Sequence, residues 1–232
     1  MQILDHMALL PPLDWVAAGA ILVSWHILGW MIEHPFAKRP SVTVLMSERR
    51  RDWMKVFVTR DPRIFDSQIL ASLRQGTAFF ASTCLLAVGG VLALAGNTEP
   101  LRGVEAEVMA MATPVLIFQL KLGLVALLLT NAFLKFVWAN RVFGYCAVLM
   151  AAVPNDPNDP SAFPRAAQAA ELNIRAAINF NRGLRTMYFA LAALAWLLGA
   201  IALIVATLVV VWVVWSREFA SLPRSILLKD GG

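Results

Sequence analysis

The chain has 232 residues, of which 59% are hydrophobic and only 15% charged, and its mean hydropathy is +0.66. A water-soluble domain carries roughly 45–50% apolar and about 25% charged residues, so no soluble fold hides this much apolar surface. The formal net charge of +5 reads as membrane topology and attraction to anionic headgroups, and it does not point to nucleic acid. Two cysteines, Cys84 and Cys146, exclude a disulfide framework and read as small apolar packing residues.

The first expected span is Leu13–Ile32. Met1 to Pro12 contains no Lys or Arg, so the basic region of a cleaved signal peptide is missing and the span is expected to remain. His26 lies two-thirds along it, with Glu33 and His34 at its inner end. A haem wants axial ligands from facing helices, yet His6, His26 and His34 are all on or before this one helix. No set of His, Cys and carboxylates has metal-ligand spacing either. Neither cofactor nor metal is therefore expected, and His26 is expected to bond a neighbouring backbone carbonyl.

Residues 33–74 follow, a basic segment holding Lys38, Arg39, Arg49, Arg50, Arg51, Lys55, Arg60, Arg63 and Arg74. Within it, Ser41–Thr59 sets Val44, Leu45, Trp53, Val56 and Phe57 among basic residues, as in a helix lying on headgroups. Asp61 before Pro62 predicts a helix N-cap with proline at the first helical position, opening a helix that runs into the second span, Gln75–Ala95. On that span Ala78, Ser82, Gly89 and Ala93 share one face, spacing that predicts close packing against the fourth span. The turn Gly96–Met109 has Arg102 against Glu99, Glu105 and Glu107, so it belongs outside.

The third span, Ala110–Leu134, carries Lys121 near mid-membrane, with Gln119 and Asn131 on the same helix. A bare ammonium there is costly. Two readings stand side by side: a counter-ion for a substrate or a moving proton, or a structural pair or snorkelling side chain, with Asp14 at the outer edge the obvious carboxylate.

Residues 135–186 form a second basic segment with Lys135, Arg141, Arg165, Arg175, Arg182 and Arg185. Pro154 to Pro160 is a turn-rich breaker, and Phe163–Arg185 resumes a helical pattern with Ala166, Ala170, Ile174, Ala177 and Ile178 near one face. The fourth span, Met187–Trp215, runs without a charged side chain; as one helix it is about 43 Å long against a roughly 30 Å hydrocarbon slab. Ala195, Gly199, Ala202 and Ala206 give it a small-residue face. The Lys and Arg asymmetry puts both basic segments in the cytoplasm and both termini outside, where Arg217, Arg224 and Lys229 fit poorly.

Two clusters at the heads of the cytoplasmic helices, Arg60, Arg63 and Asp66 in one and Asn181, Arg182 and Arg185 in the other, suit a phosphate or lipid headgroup. They suit equally a salt-bridge lattice with Asp61, Asp66 and Glu171. Arg74 before Phe79-Phe80-Ala81 and Arg185 before Tyr188-Phe189-Ala190 hint at a duplicated hairpin, although lipid chemistry alone selects arginine-then-aromatic at an inner interface. No nucleophile–base set or phosphate loop occurs, so no enzyme activity is expected.

The residues Trp53-Met54, Arg60, Arg63-Ile64, Asp66 and Phe79-Phe80-Ala81-Ser82-Thr83, then Asn181, Gly183-Leu184-Arg185 and Tyr188-Phe189, carry a resemblance that covers nearly the whole chain. It resembles the bacterial and plant membrane family catalogued as domain of unknown function 599. The resemblance implies a small multi-span membrane protein and carries no catalytic or ligand-binding role. The expectation is then a single-domain, all-α integral membrane four-helix bundle of the inner membrane, multi-pass, with amphipathic cytoplasmic helices. Its leading role is a non-enzymatic accessory or scaffold protein in the lipid bilayer, packing with a membrane partner or as a homo-oligomer. The rival is a small-solute or ion transporter using Lys121, Gln119 and Asn131.

Overall fold

The computed structural model describes residues 11–34, 39–97 and 114–229, and every regular element among them is helical. In chain order these are α1 (Pro12–Glu33), α2 (Val42–Thr59), α3 (Ile64–Gly96), α4 (Val115–Ala151), α5 (Ala162–Leu194), a 3-10 turn (Ala195–Leu198), α6 (Ala200–Phe219) and α7 (Leu222–Lys229). The all-α class is as expected. Helices α1, α3, α4 and the stretch Ala200–Lys229 are long and apolar enough to cross a membrane. His6, Lys38 and the turn residues Glu99, Arg102, Glu105 and Glu107 lie outside the described residues.

The chain divides into two units. The first takes Met1–Trp30, Thr83–Ala132 and Leu184–Trp215; the second takes Met31–Ser82, Phe133–Gly183 and Ser216–Gly232. Charge follows the same division. Among the described residues the first unit holds only Asp14, Lys121 and Arg185 of all the Asp, Glu, Lys and Arg, and the second holds every other one. Hydrocarbon tolerates so few ionisable groups, whereas the second unit has the composition of a wetted helical domain.

Five helical stretches build the first unit, because the expected fourth rod is interrupted. Met187–Trp215 is not one helix: α5 ends at Leu194, the 3-10 turn follows, and Gly199 adopts φ 110 and ψ 169 before α6 begins. Only glycine takes that backbone conformation readily. Its N–H donates to the Trp196 carbonyl at 3.0 Å, and its own carbonyl accepts from the Leu203 N–H at 3.2 Å, so the break ends one helix and starts the next. Ala195 and Gly199, expected on a packing face, are instead the hinge.

The chain folds back there, as three contacts inside the second unit require. Arg182 bonds Glu33, Ser41 bonds the Ile32 carbonyl, and Thr43 bonds Glu218. That chain of contacts holds Arg182 and Glu218 within about 40 Å even if every link were straight. A continuous helix between them would be about 54 Å long. Within the first unit, Trp196 in the turn donates its indole N–H to the buried carboxylate of Asp14, and Trp25 donates to Thr186 Oγ1 at 3.0 Å. Residue numbers rise on α1 as they fall on α5, so the two stretches run antiparallel.

The second unit packs as a soluble-like core. Ser41 caps α2 by accepting from the Val44 N–H at 3.3 Å while its hydroxyl donates to the Ile32 carbonyl at 2.7 Å. The apolar face of α2 is covered by protein, not only by headgroups: Met54, Phe57 and Val58 are buried against α4 and the alanine-lined face of α5, where Ala166 and Ala170 permit close approach. Helix α3 starts at Ile64, two residues beyond the expected proline start. The Arg63 carbonyl accepts from the Ser67 N–H and is the first to do so. The breaker after α4 behaves as its composition implies. Asp159 accepts from the Ser161 N–H at 2.8 Å and hydroxyl at 2.7 Å, bonds that lower its carboxyl below the usual carboxylate range.

One glycine in α5 is needed for space. A Cβ on Gly183 would stand 2.7 Å from a ring carbon of Phe136, itself fully buried and held between Phe80 and Phe180 with centroids 5.4 and 5.5 Å away. The ring has nowhere to go. Gly183→Ala is therefore expected to lose about 1–3 kcal/mol from overpacking despite the roughly 1 kcal/mol gain in helix propensity, which thermal denaturation in detergent will measure.

Candidate functional site

The densest polar constellation in the second unit is a buried carboxylate. Asp66 lies in the first turn of α3, fully buried, where the N-terminal end of the helix dipole favours a negative charge. Its Oδ1 accepts from the Trp53 indole N–H and from Arg60, both at 2.6 Å, while Oδ2 is buried with no partner among the described residues. Arg60 also ends α2, its backbone N–H bonding the Phe57 carbonyl. One ion pair thus closes the corner between two helices, and all three partners stand in the motif that carried the family resemblance.

Arg63 completes the corner. Its guanidinium donates to the carbonyls of Val153 and Pro154, both at 2.7 Å, and of Val58 at 3.1 Å, and it lies 4.5 Å over the Phe57 ring. These carbonyls sit at the ends of α2 and α4, where a helix leaves acceptors unsatisfied. Arg182 makes a two-pronged pair with Glu33, which raises its guanidinium pKa above the usual value. Asn181 lines a different cavity, of about 270 Å³, together with Arg50 and Glu218. Arg185 is buried in the first unit. The six residues expected to converge on one anion are therefore distributed over several tasks. Of the expected lattice, Asp66 serves as foreseen, and Glu171 instead pairs with Arg51 at 2.8 Å.

Several connections carried no sequence signal. Arg50 donates to the fully buried Asn173, whose amide in turn reaches Cys146 Sγ at 3.7 Å, and burial lowers the Arg50 pKa. Thr43 caps onto Glu218 from its backbone and its hydroxyl, and Arg224 donates to the Pro40 carbonyl at 2.9 Å. The Arg50–Asn173, Thr43–Glu218 and Arg224–Pro40 pairs join residues more than a hundred positions apart, and no local spacing encodes them.

The polar residues of the first unit have separate roles. His26 is exposed, its Nδ1 3.2 Å from the Leu22 carbonyl, the local bond expected of it, with Trp25 edge-on at 4.5 Å. Gln119 is exposed and donates to the Ala95 carbonyl at 3.1 Å, satisfying the C-terminal end of α3. Lys121 is buried with its ammonium 6.0 Å from the centre of the Phe118 ring. Asn131 is half-buried, and its side-chain oxygen has no partner among the described residues. Asp14 takes the Trp196 bond already described.

The small-residue stripe is a correction. Ala78, Ser82, Gly89 and Ala93, expected to pack against the fourth span, are all exposed on α3, and a Cβ at Gly89 or Gly90 would meet nothing within 4 Å. Helix α4, by contrast, buries Phe118, Leu122, Leu128 and Phe136.

Comparison with known protein families matches residues 16–223 to the family described as "Protein of unknown function, DUF599". No curated protein and no solved structure matches the chain.

Proposed function

We infer a role for a chain that belongs to the DUF599 family, a family of unknown function: it is a non-enzymatic scaffold of the inner membrane that packs through α3 against a second copy of itself. The observation that supports this reading is the exposed face of Ala78, Ser82, Gly89 and Ala93. Lipid removes the hydrophobic incentive for helices to associate, so what favours it is close backbone approach, which small side chains permit. The rival polar path draws less support, because Gln119 bonds a helix-end carbonyl instead of facing Lys121 or Asn131.

In this reading the basic second unit faces the cytoplasm, following the rule that Lys and Arg stay inside. The hairpin of α5 and α6 then makes five crossings, and the tail bearing Arg217, Arg224 and Lys229 returns to the cytoplasmic side. That arrangement revises the expectation of two external termini and removes its awkward basic tail.

Ser82→Cys chains in native membranes are expected to cross-link as dimers on mild oxidation. Gly89→Leu is expected to raise the dimer dissociation constant in detergent about ten-fold, the effect of roughly 1.4 kcal/mol on the association. A protein that remains monomeric at every protein-to-detergent ratio would overturn the scaffold reading.

A further inference from the structure

Among the described residues, three of the cavities in the second unit differ in charge. The one of about 270 Å³ sets Arg50 beside Glu218; the one of about 400 Å³ sets Arg51 and Lys55 beside Glu171. In the first the two charges balance; in the second Arg51 is already paired with Glu171 at 2.8 Å and Lys55 with Asp52 at 3.4 Å. The third, of about 320 Å³ and enclosed by α2, α3 and α4, is walled by Phe57, Leu70, Ala71 and Met150 and edged by Arg63 and Arg74, with no acidic side chain in its lining.

The two arginines contribute differently. Arg63 has its donors on the Val58, Val153 and Pro154 carbonyls, so it offers positive field and a fixed rim. Arg74 is exposed, and among the described residues its side chain bonds Asn140 Oδ1 at 3.5 Å, the outer limit of a hydrogen bond. Its planar fork is thus available for two parallel bonds to a phosphate. Arg74 also immediately precedes the apolar run Gln75–Ala95, which sets it at headgroup level where that run enters the bilayer.

We propose that this cleft holds one anionic membrane phospholipid, its phosphate on Arg74 in the field of Arg63 and the upper part of one acyl chain along Phe57, Leu70 and Met150. Free phosphate satisfies only half of the site, since it leaves the apolar wall wet; a zwitterionic lipid satisfies the wall but brings a cation against two arginines. The volume, at the low end for small-molecule sites, admits part of one lipid and not a whole one.

The test uses the full chain in mild detergent, with retained lipid counted by native mass spectrometry. Phosphatidylglycerol and phosphatidylcholine of identical acyl chains are supplied in equal amounts, and glycerol 3-phosphate is the soluble competitor. Phosphatidylglycerol is expected to be retained about ten-fold over phosphatidylcholine, and Arg74→Gln to abolish that preference, as loss of a charge-assisted pair implies. Ala71→Trp, at an exposed rim position, is expected to reduce phosphatidylglycerol retention by a similar factor with Arg74 intact, and glycerol 3-phosphate to displace nothing. Retention unchanged in both variants overturns the proposal, as does full displacement by glycerol 3-phosphate, which would assign the site to a free phosphate.

Discussion

Asp66→Ala is expected to destabilise the second unit by about 3–5 kcal/mol, the loss that follows when one partner of a buried ion pair is removed. Asp66 is fully buried and Arg60 about a third exposed, at 31% of its side chain, so the arginine partly recovers solvent and the lower end of that range is the better expectation. Trp53→Phe keeps the aromatic bulk and deletes only the indole donor, so it is expected to cost about 1–2 kcal/mol. If the three groups act as a unit, the double variant Trp53→Phe with Asp66→Ala loses less than the sum of the singles. Thermal unfolding in detergent of the four proteins of this cycle provides the check; a fully additive cycle would show that Trp53 and Asp66 do not cooperate.

A reporter fused to the C-terminus and one inserted beside Arg49–Arg51 are expected to label from the same face of the membrane. The Thr43–Glu218 and Arg224–Pro40 bonds require it if the hairpin forms in the bilayer. Gly199 is the vulnerable point. Its φ of 110 and ψ of 169 belong to a region that side-chain-bearing residues avoid, so Gly199→Val is expected to destabilise the hairpin by about 3 kcal/mol. The tail reporter should then become labelled partly from the opposite face, as α5 and α6 straighten into one rod. Opposite-face labelling in the parent protein would refute the five-crossing path.

The hairpin also shows where sequence reading stops. Apolar runs without charge mark hydrocarbon-compatible helices directly, because the cost of burying an ion is large and local; α1, α3 and α4 were legible for that reason. The Pro154–Pro160 breaker was legible because the chemistry of a turn is carried by the turn residues themselves, whereas the cap expected at Asp61 gave way to a helix starting at Ile64. Gly199 was not. In lipid a glycine among alanines reads as a packing surface, and only its backbone angle, in a turn whose Trp196 bonds Asp14, makes it a reversal. The stripe on α3 misled in the opposite sense: spacing does not say whether a face is covered within the chain, and Ala78, Ser82, Gly89 and Ala93 are exposed. The candidate anion cluster had the right residue types, and the tertiary pairing of Arg60 with Asp66 and of Arg182 with Glu33 decided their use.

The second unit is assembled from three separated stretches of chain, the last of them beginning at Ser216. A ribosome releases these in order, so α2 and the corner at Asp66 emerge long before the Glu218 carboxylate that Thr43 bonds. Closure of the basic unit consequently waits until Glu218 has emerged. Until then the apolar cores of α2 and α5 lack their final clasp, so the growing chain exposes them for longer than a unit built from one continuous stretch would.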